Sequence, residues 1–140
     1  MSIVPGALEI TTGQLASDER LSVKLKRVAG EAGLDRPIRH PRIQKSGLAL
    51  AGHHYGVVPT RVQVLGGTEL SYLDKLDSAT RGNAVRAYFG LGLSCVVLTR
   101  DEPHKTLVAA AEATGTPLFV SDNRSSRTIN ALHEIGRAHV

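Results

Sequence analysis

From Arg61 onward the chain alternates short, mainly apolar runs with longer stretches of helical spacing, and this alternation restricts the fold more than any other feature. Val62-Gln63-Val64-Leu65 reads as a buried strand, Cys95-Val96-Val97-Leu98 as a second one without alternation, as expected when both faces are covered, and Leu118-Phe119-Val120 as a third. After the first run, Gly66-Gly67 reads as a turn, and Leu70, Leu73 and Leu76 as one face of a short helix. Val85, Tyr88 and Phe89 share a side of a helix over 79–89, capped by Asp77 or Ser78. The alanine-rich stretch 106–113 predicts another helix, stopped by Gly115 and Pro117, and Ser125 to His133 begins a last one. Strands separated by helices of this length are joined in parallel. The expected class is therefore α/β: a small mixed sheet with a parallel βαβαβ unit, strands near 62–65, 94–99 and 117–121, flanked by helices within a single domain.

The first half is less regular. Thr11 or Thr12 caps a short helix around 14–16, and 23–28 alternates apolar with basic residues as a half-buried strand does. Pro37 and Pro41 bias their predecessors away from helix, which holds 38–43 extended. The segment 47–52 is too short and too glycine-bounded to assign. Residues 8–58 thus predict a mixed or antiparallel addition packed on the parallel unit.

Composition excludes several classes. Aromatic residues make up 4% of the 140 residues and there is no Trp, so the core is aliphatic. The lone Cys95 excludes an internal disulfide, and no apolar run has the length of a membrane span or the layout of a signal peptide. A cytoplasmic protein with no membrane partner is expected. The net charge of +4 raises nucleic acid as a partner, yet the basic residues are mixed with acids and stacking aromatics are scarce, so no nucleic-acid partner is expected. Arg36, Arg39, His40, Arg42 and Lys45 form the one denser group, either an anion-attracting edge or solvated surface.

Five blocks carry a resemblance: Ala29 to Ile38 (AGEAGLDRPI), Gly47 to Gly52 (GLALAG), Arg61 to Leu73 (RVQVLGGTELSYL), Val96-Val97-Leu98-Thr99-Arg100 and Pro117-Leu118-Phe119-Val120. In order and spacing they resemble the N-terminal domain of bacterial HPr kinase/phosphorylase, over roughly residues 12 to 133. The resemblance implies a full-length enzyme that uses ATP and Mg²⁺ to phosphorylate a serine of HPr, or of an HPr-like phosphocarrier protein. It also implies reversal by phosphorolysis, control of carbohydrate metabolism, and a homo-oligomer, a hexamer in the family. The family's catalytic residues lie in a second domain beyond the equivalent of His133 that opens with a P-loop. No G-x-x-x-x-G-K-[ST] occurs in this sequence, so no catalytic residue and no cofactor of its own is expected here.

Some positions depart from the family pattern. His53-His54 follow Ala51-Gly52 where the family favours aromatics, Ser46 stands where Pro often precedes Gly47, and Asp101 replaces the Gly that commonly follows Thr-Arg. Glu134-Ile135-Gly136-Arg137-Ala138-His139-Val140 matches one translated frame of a common short-read sequencing adapter. The expectation is a domain at 1–133 followed by a non-native tail at 134–140.

The candidate site residues are Gly66, Gly67, Thr68 and Ser71. Between a strand and a helix, bare backbone N–H groups and the positive helix end can receive an anion, to which the Thr68 and Ser71 hydroxyls can add. Two glycines also suit a tight turn without any ligand, with Thr68 capping its own helix and Glu69 complementing its dipole. The alternative function is accordingly a stand-alone regulatory module that binds a nucleotide or other anion at this turn, or docks a partner protein. His53 and His54, adjacent on an extended chain, point apart and suit a partner contact at a loop tip better than one metal ion. Cys95 reads as a small buried hydrophobe. Asp101, Glu102 and His104 follow a strand end, where open α/β sheets place sites, but equally set up the next helix.

Overall fold

The computed structural model describes residues 9–99 and 104–139. Its central sheet has five strands in the order β2-β7-β6-β5-β4. The strands are β2 (Leu25–Ala29), β4 (Gln44–Lys45), β5 (Gln63–Leu65), β6 (Val96–Leu98) and β7 (Leu118–Ser121). Strands β4 to β7 are parallel neighbours in chain order, and β2 adds antiparallel against β7. A separate antiparallel pair joins β1 (Ile10–Thr11) to β3 (Pro37–Ile38). The chain adopts the expected α/β class with its parallel unit, and of the two expected forms of the addition from the first half it takes the mixed one, β4 joining in parallel and β2 antiparallel.

Six α-helices and a short 3-10 helix (Glu31–Gly33) complete the described fold, the α-helices being α1 (Thr12–Ala16), α2 (Gly47–Leu50), α3 (Gly67–Lys75), α4 (Ser78–Phe89), α5 (Lys105–Thr114) and α6 (Ser125–His139). Local chemistry chooses between the alternatives in the sequence. Thr11 caps α1 through a reciprocal pair, its Oγ1 accepting from the Gln14 amide at 3.1 Å and its own amide donating to Gln14 Oε1 at 2.8 Å. Thr12 is instead buried, its hydroxyl set between Arg36 O at 3.1 Å and Ser94 O at 3.0 Å. Asp77 caps α4 by accepting from the Thr80 amide at 2.8 Å.

The register shows why the apolar runs do not alternate. Val64, Val97 and Phe119 are paired across the sheet, as are Leu65, Leu98 and Val120. Leu65, Val96, Leu98, Leu118 and Val120 face a cluster made with Leu70 and Leu73 of α3, Val85, Tyr88 and Phe89 of α4, and Leu107 of α5. Val64, Cys95, Val97 and Phe119 face the other side, against Leu15 of α1, Ile10, Ile38, and Leu132 and Ile135 of α6. Each fully buried aliphatic side chain is worth about 1.5–3 kcal/mol relative to exposure, so both faces favour apolar residues. The buried polar ones, Gln63 and Ser121, are hydrogen-bonded, Gln63 Nε2 to Val58 O at 2.9 Å and Ser121 Oγ with Thr128 Oγ1 at 2.9 Å. Helix α6 runs through the segment 134–139 with Ile135 1% exposed.

Candidate functional site

The carboxyl ends of the parallel strands open onto the turn at Gly66. Gly66 precedes α3 without a side-chain cap, and a Cβ there would lie 2.7 Å from Ser125 Oγ and 3.4 Å from Thr99 Oγ1. Those two hydroxyls bond each other at 2.8 Å, tying the end of β6 to the start of α6. Close approach of that pair is a sufficient reason for glycine at 66. A Cβ at Gly67, by contrast, would meet nothing within 4 Å. Thr68 therefore sits inside the first turn of α3 rather than capping it, and Thr68 and Ser71 are both exposed.

A shallow cleft of about 680 Å³ runs along this end of α3, lined by Gly67, Thr68, Ser71, Tyr72 and Lys75. It brings three of the four candidate residues together and adds a lysine and an aromatic edge; Gly66 lies buried beneath. A second cleft of about 600 Å³, between α2 and α3, shares Thr68 and Tyr72 and is lined further by Lys45, Gly47, Leu48, Ala51 and Glu69. Glu69 decides the electrostatics. A Cβ on Gly47 would lie 2.6 Å from Glu69 Cγ, and one on Gly66 3.7 Å from Glu69 Oε2, so this carboxylate is folded back over the start of its own helix. It complements the helix dipole there and opposes any second anion.

The other candidates separate. His53 is exposed and His54 half-buried, on a loop whose tip is the fully exposed Tyr55, and His54 Nε2 is buried without a hydrogen-bond partner. Cys95 is wholly buried, and burial pushes its thiol up to about 12, outside the range of a ready nucleophile. His104 bonds Asp74 of α3 at 2.8 Å and so clamps α5 to α3. Asp101 and Glu102 lie outside the described residues. Arg36 turns inward, where Nη1 donates to Leu93 O at 2.7 Å and Thr116 Oγ1 at 3.0 Å and Nη2 to Thr114 O at 2.8 Å.

Sequence reasoning missed the Thr99–Ser125 pair and the reach of Glu69 to Gly47. The partners are far apart in sequence, and only the rule that sites gather at parallel strand ends points to Thr99.

The sequence that folds into this parallel α/β unit, with a glycine turn at its strand ends, matches a defined family. The sequence profile described as HPr Serine kinase N terminus matches residues 10–135, and the chain belongs to that family. Among its relatives is the HPr kinase/phosphorylase of Geobacter sulfurreducens, 35% identical over 127 residues, an alignment covering 90% of this chain. The chain spans 40% of that relative's length.

Proposed function

We propose that this chain is the N-terminal, non-catalytic domain of a bifunctional HPr(Ser) kinase/phosphorylase. The whole protein phosphorylates a serine of HPr, or of an HPr-like phosphocarrier, with ATP and Mg²⁺, and removes the phosphate by phosphorolysis in control of carbohydrate metabolism. It works in the cytoplasm as a homo-oligomer, by family a hexamer. The observation that carries this reading is family membership over residues 10–135 combined with coverage of only 40% of a relative named for both activities. The residues present do not suit ATP and Mg²⁺ in the P-loop manner, since the sequence has no such loop, and no residue of this chain is assigned to them. Residues 134–140 stand, in this reading, where the natural protein continues into its kinase domain.

The test has two parts. Genomic DNA read past the codon for His133 should leave the frame of EIGRAHV and reach a P-loop; a confirmed stop after Val140 would refute the reading. The 140-residue chain, given ATP, Mg²⁺ and HPr, should transfer no phosphate, whereas the protein encoded by the continuous frame should.

A second reading is favoured by one observation, the open cleft with Gly67, Thr68, Ser71 and Lys75 on its walls. Here the domain is a regulatory module that takes a nucleotide or other anion at Gly66 to Ser71. Titration calorimetry with ATP and with inorganic phosphate distinguishes the two: saturable binding abolished by Lys75→Ala and Ser71→Ala supports the second reading, and no heat removes it.

A further inference from the structure

The basic run that the sequence suggests is divided by the fold. Arg36 is drawn inward and Lys45 lines the α2–α3 cleft. Arg39, His40 and Arg42 remain on the segment between β3 and β4, and that segment is held against two distant parts of the chain. The Arg39 amide donates to Thr60 O at 3.0 Å, and the Ile43 amide to His133 Nε2 at 3.2 Å. Pro41 lies so close to α6 that a Cβ on Gly136 would be 2.1 Å from Pro41 O. Burial first, and then Arg61, holds His40 below its ordinary value; burial, then Arg42 and Arg137, does the same to His133. Arg39, Arg42 and Arg61, with His40 and His133, therefore lie on three stretches that these hydrogen bonds hold side by side.

Among the described residues, none of these three guanidinium groups has a carboxylate within 4.0 Å. Arg61 Nε is buried with no partner at all. Gathering like charges without counter-ions raises the energy of the face, and an anionic partner lowers it. The partner's shape follows from two further facts. Neither cleft described above includes Arg39, Arg42 or Arg61, and Arg39 and Arg42 are exposed, as a surface that meets a partner must be. The stretches 39–43, 60–61 and 125–139 contain no Phe, Tyr or Trp, so the face lacks the large rings on which nucleic-acid bases stack best. A second copy of the chain, itself at +4, is a poor complement.

We propose that the face built from Arg39, Arg42 and Arg61 docks a carboxylate-rich surface of a protein partner. Arg137 is left out of this count because it belongs to the segment expected to be non-native.

The experiment uses poly-L-glutamate as the probe. Titrated into the isotope-labelled 140-residue chain, it should move the amide signals of Arg39, His40, Arg42, Ile43 and Arg61 and the ring signals of His40 and His133, and leave the amide signals of β2 in place. The variant Arg39→Gln/Arg42→Gln/Arg61→Gln should bind at least roughly tenfold more weakly, whereas Lys24→Gln/Lys26→Gln/Arg27→Gln, an equal loss of charge on β2 and the residue before it, should change binding less than about twofold. Should the first variant fail to fold, the shift map of the unaltered chain decides alone. Equal weakening by both variants, shifts spread over the whole surface, or no binding overturns the proposal in favour of diffuse solvated charge. Tighter binding of an RNA duplex of matched charge to the same face overturns it in favour of nucleic acid.

Discussion

A single added methyl group separates the glycines of this chain into two kinds. Gly30 has φ +78, and a Cβ there would lie 1.9 Å from Thr116 O, backbone that cannot rotate away. Gly30→Ala should cost about 3 kcal/mol or more. Gly67 has open space around it at the start of α3, so Gly67→Ala should be neutral or stabilising by up to about 1 kcal/mol. Urea midpoints of the two variants check both, and a large loss at 67 would mean that the turn is constrained by something other than sterics. At Asp77 the Thr80 amide, and then the Thr80 hydroxyl, hold the carboxyl below its ordinary value of 3.8. A depressed folded-state value adds stability above the unfolded value that is lost as pH falls through the folded one. Asp77→Ala should therefore lower the urea midpoint at neutral pH, and the gap from the parent chain should narrow at about pH 3. A gap unchanged by acid would show that the charge of the cap contributes nothing.

At the scale of the elements, the sheet makes a two-sided demand. Val97 projects into the cluster under α1 and α6, and Leu118 into the one under α3, α4 and α5; both are wholly buried. Val97→Asp and Leu118→Asp should each unfold the domain, since an unpaired buried carboxylate costs more than about 4 kcal/mol. Native-like thermal unfolding of either variant would show that its strand has an open face. These strands were legible in the sequence because a strand covered on both faces is apolar at most of its positions, Gln63 being the exception in β5, and that is a local signal. The helices α3, α4 and α5 were legible from spacing and caps for the same reason. Helix α2 and the two-residue strand β4 were not, because Gly47–Leu50 and Gln44–Lys45 are defined by what they meet: Glu69 and Tyr88 in one case, β5 in the other. Nor did the alternation of 23–28 reveal that β2 would add antiparallel to β7, nearly a hundred residues away. Of the candidate site, the glycine turn was read at its place in the fold. The carboxylate covering it was not, since the fold of Glu69 back toward Gly47 depends on contact between two helices.

For the whole molecule the decisive region is the end of α6. Leu132 and Ile135, 2% and 1% exposed, fill one end of the cluster beneath the sheet, and Gly136 lets Pro41 approach the helix. A chain ending at His133 keeps Leu132 but leaves a void where Ile135 was, at a cost of about 2–4 kcal/mol. Its melting temperature should fall by on the order of ten degrees relative to the 140-residue chain. Coincident melting curves would show that 134–139 adds nothing to the packing of the domain. The same geometry constrains the natural sequence if the frame does change after His133. Position 135 must still supply an aliphatic side chain, and position 136 must be glycine or carry a residue whose helix has moved off Pro41, because any Cβ in the present position would overlap a carbonyl oxygen. A genomic codon for a charged residue at 135, in a protein whose first 133 residues fold as they do here, would mean that α6 in the natural protein leaves the sheet before that point and passes into a different structure.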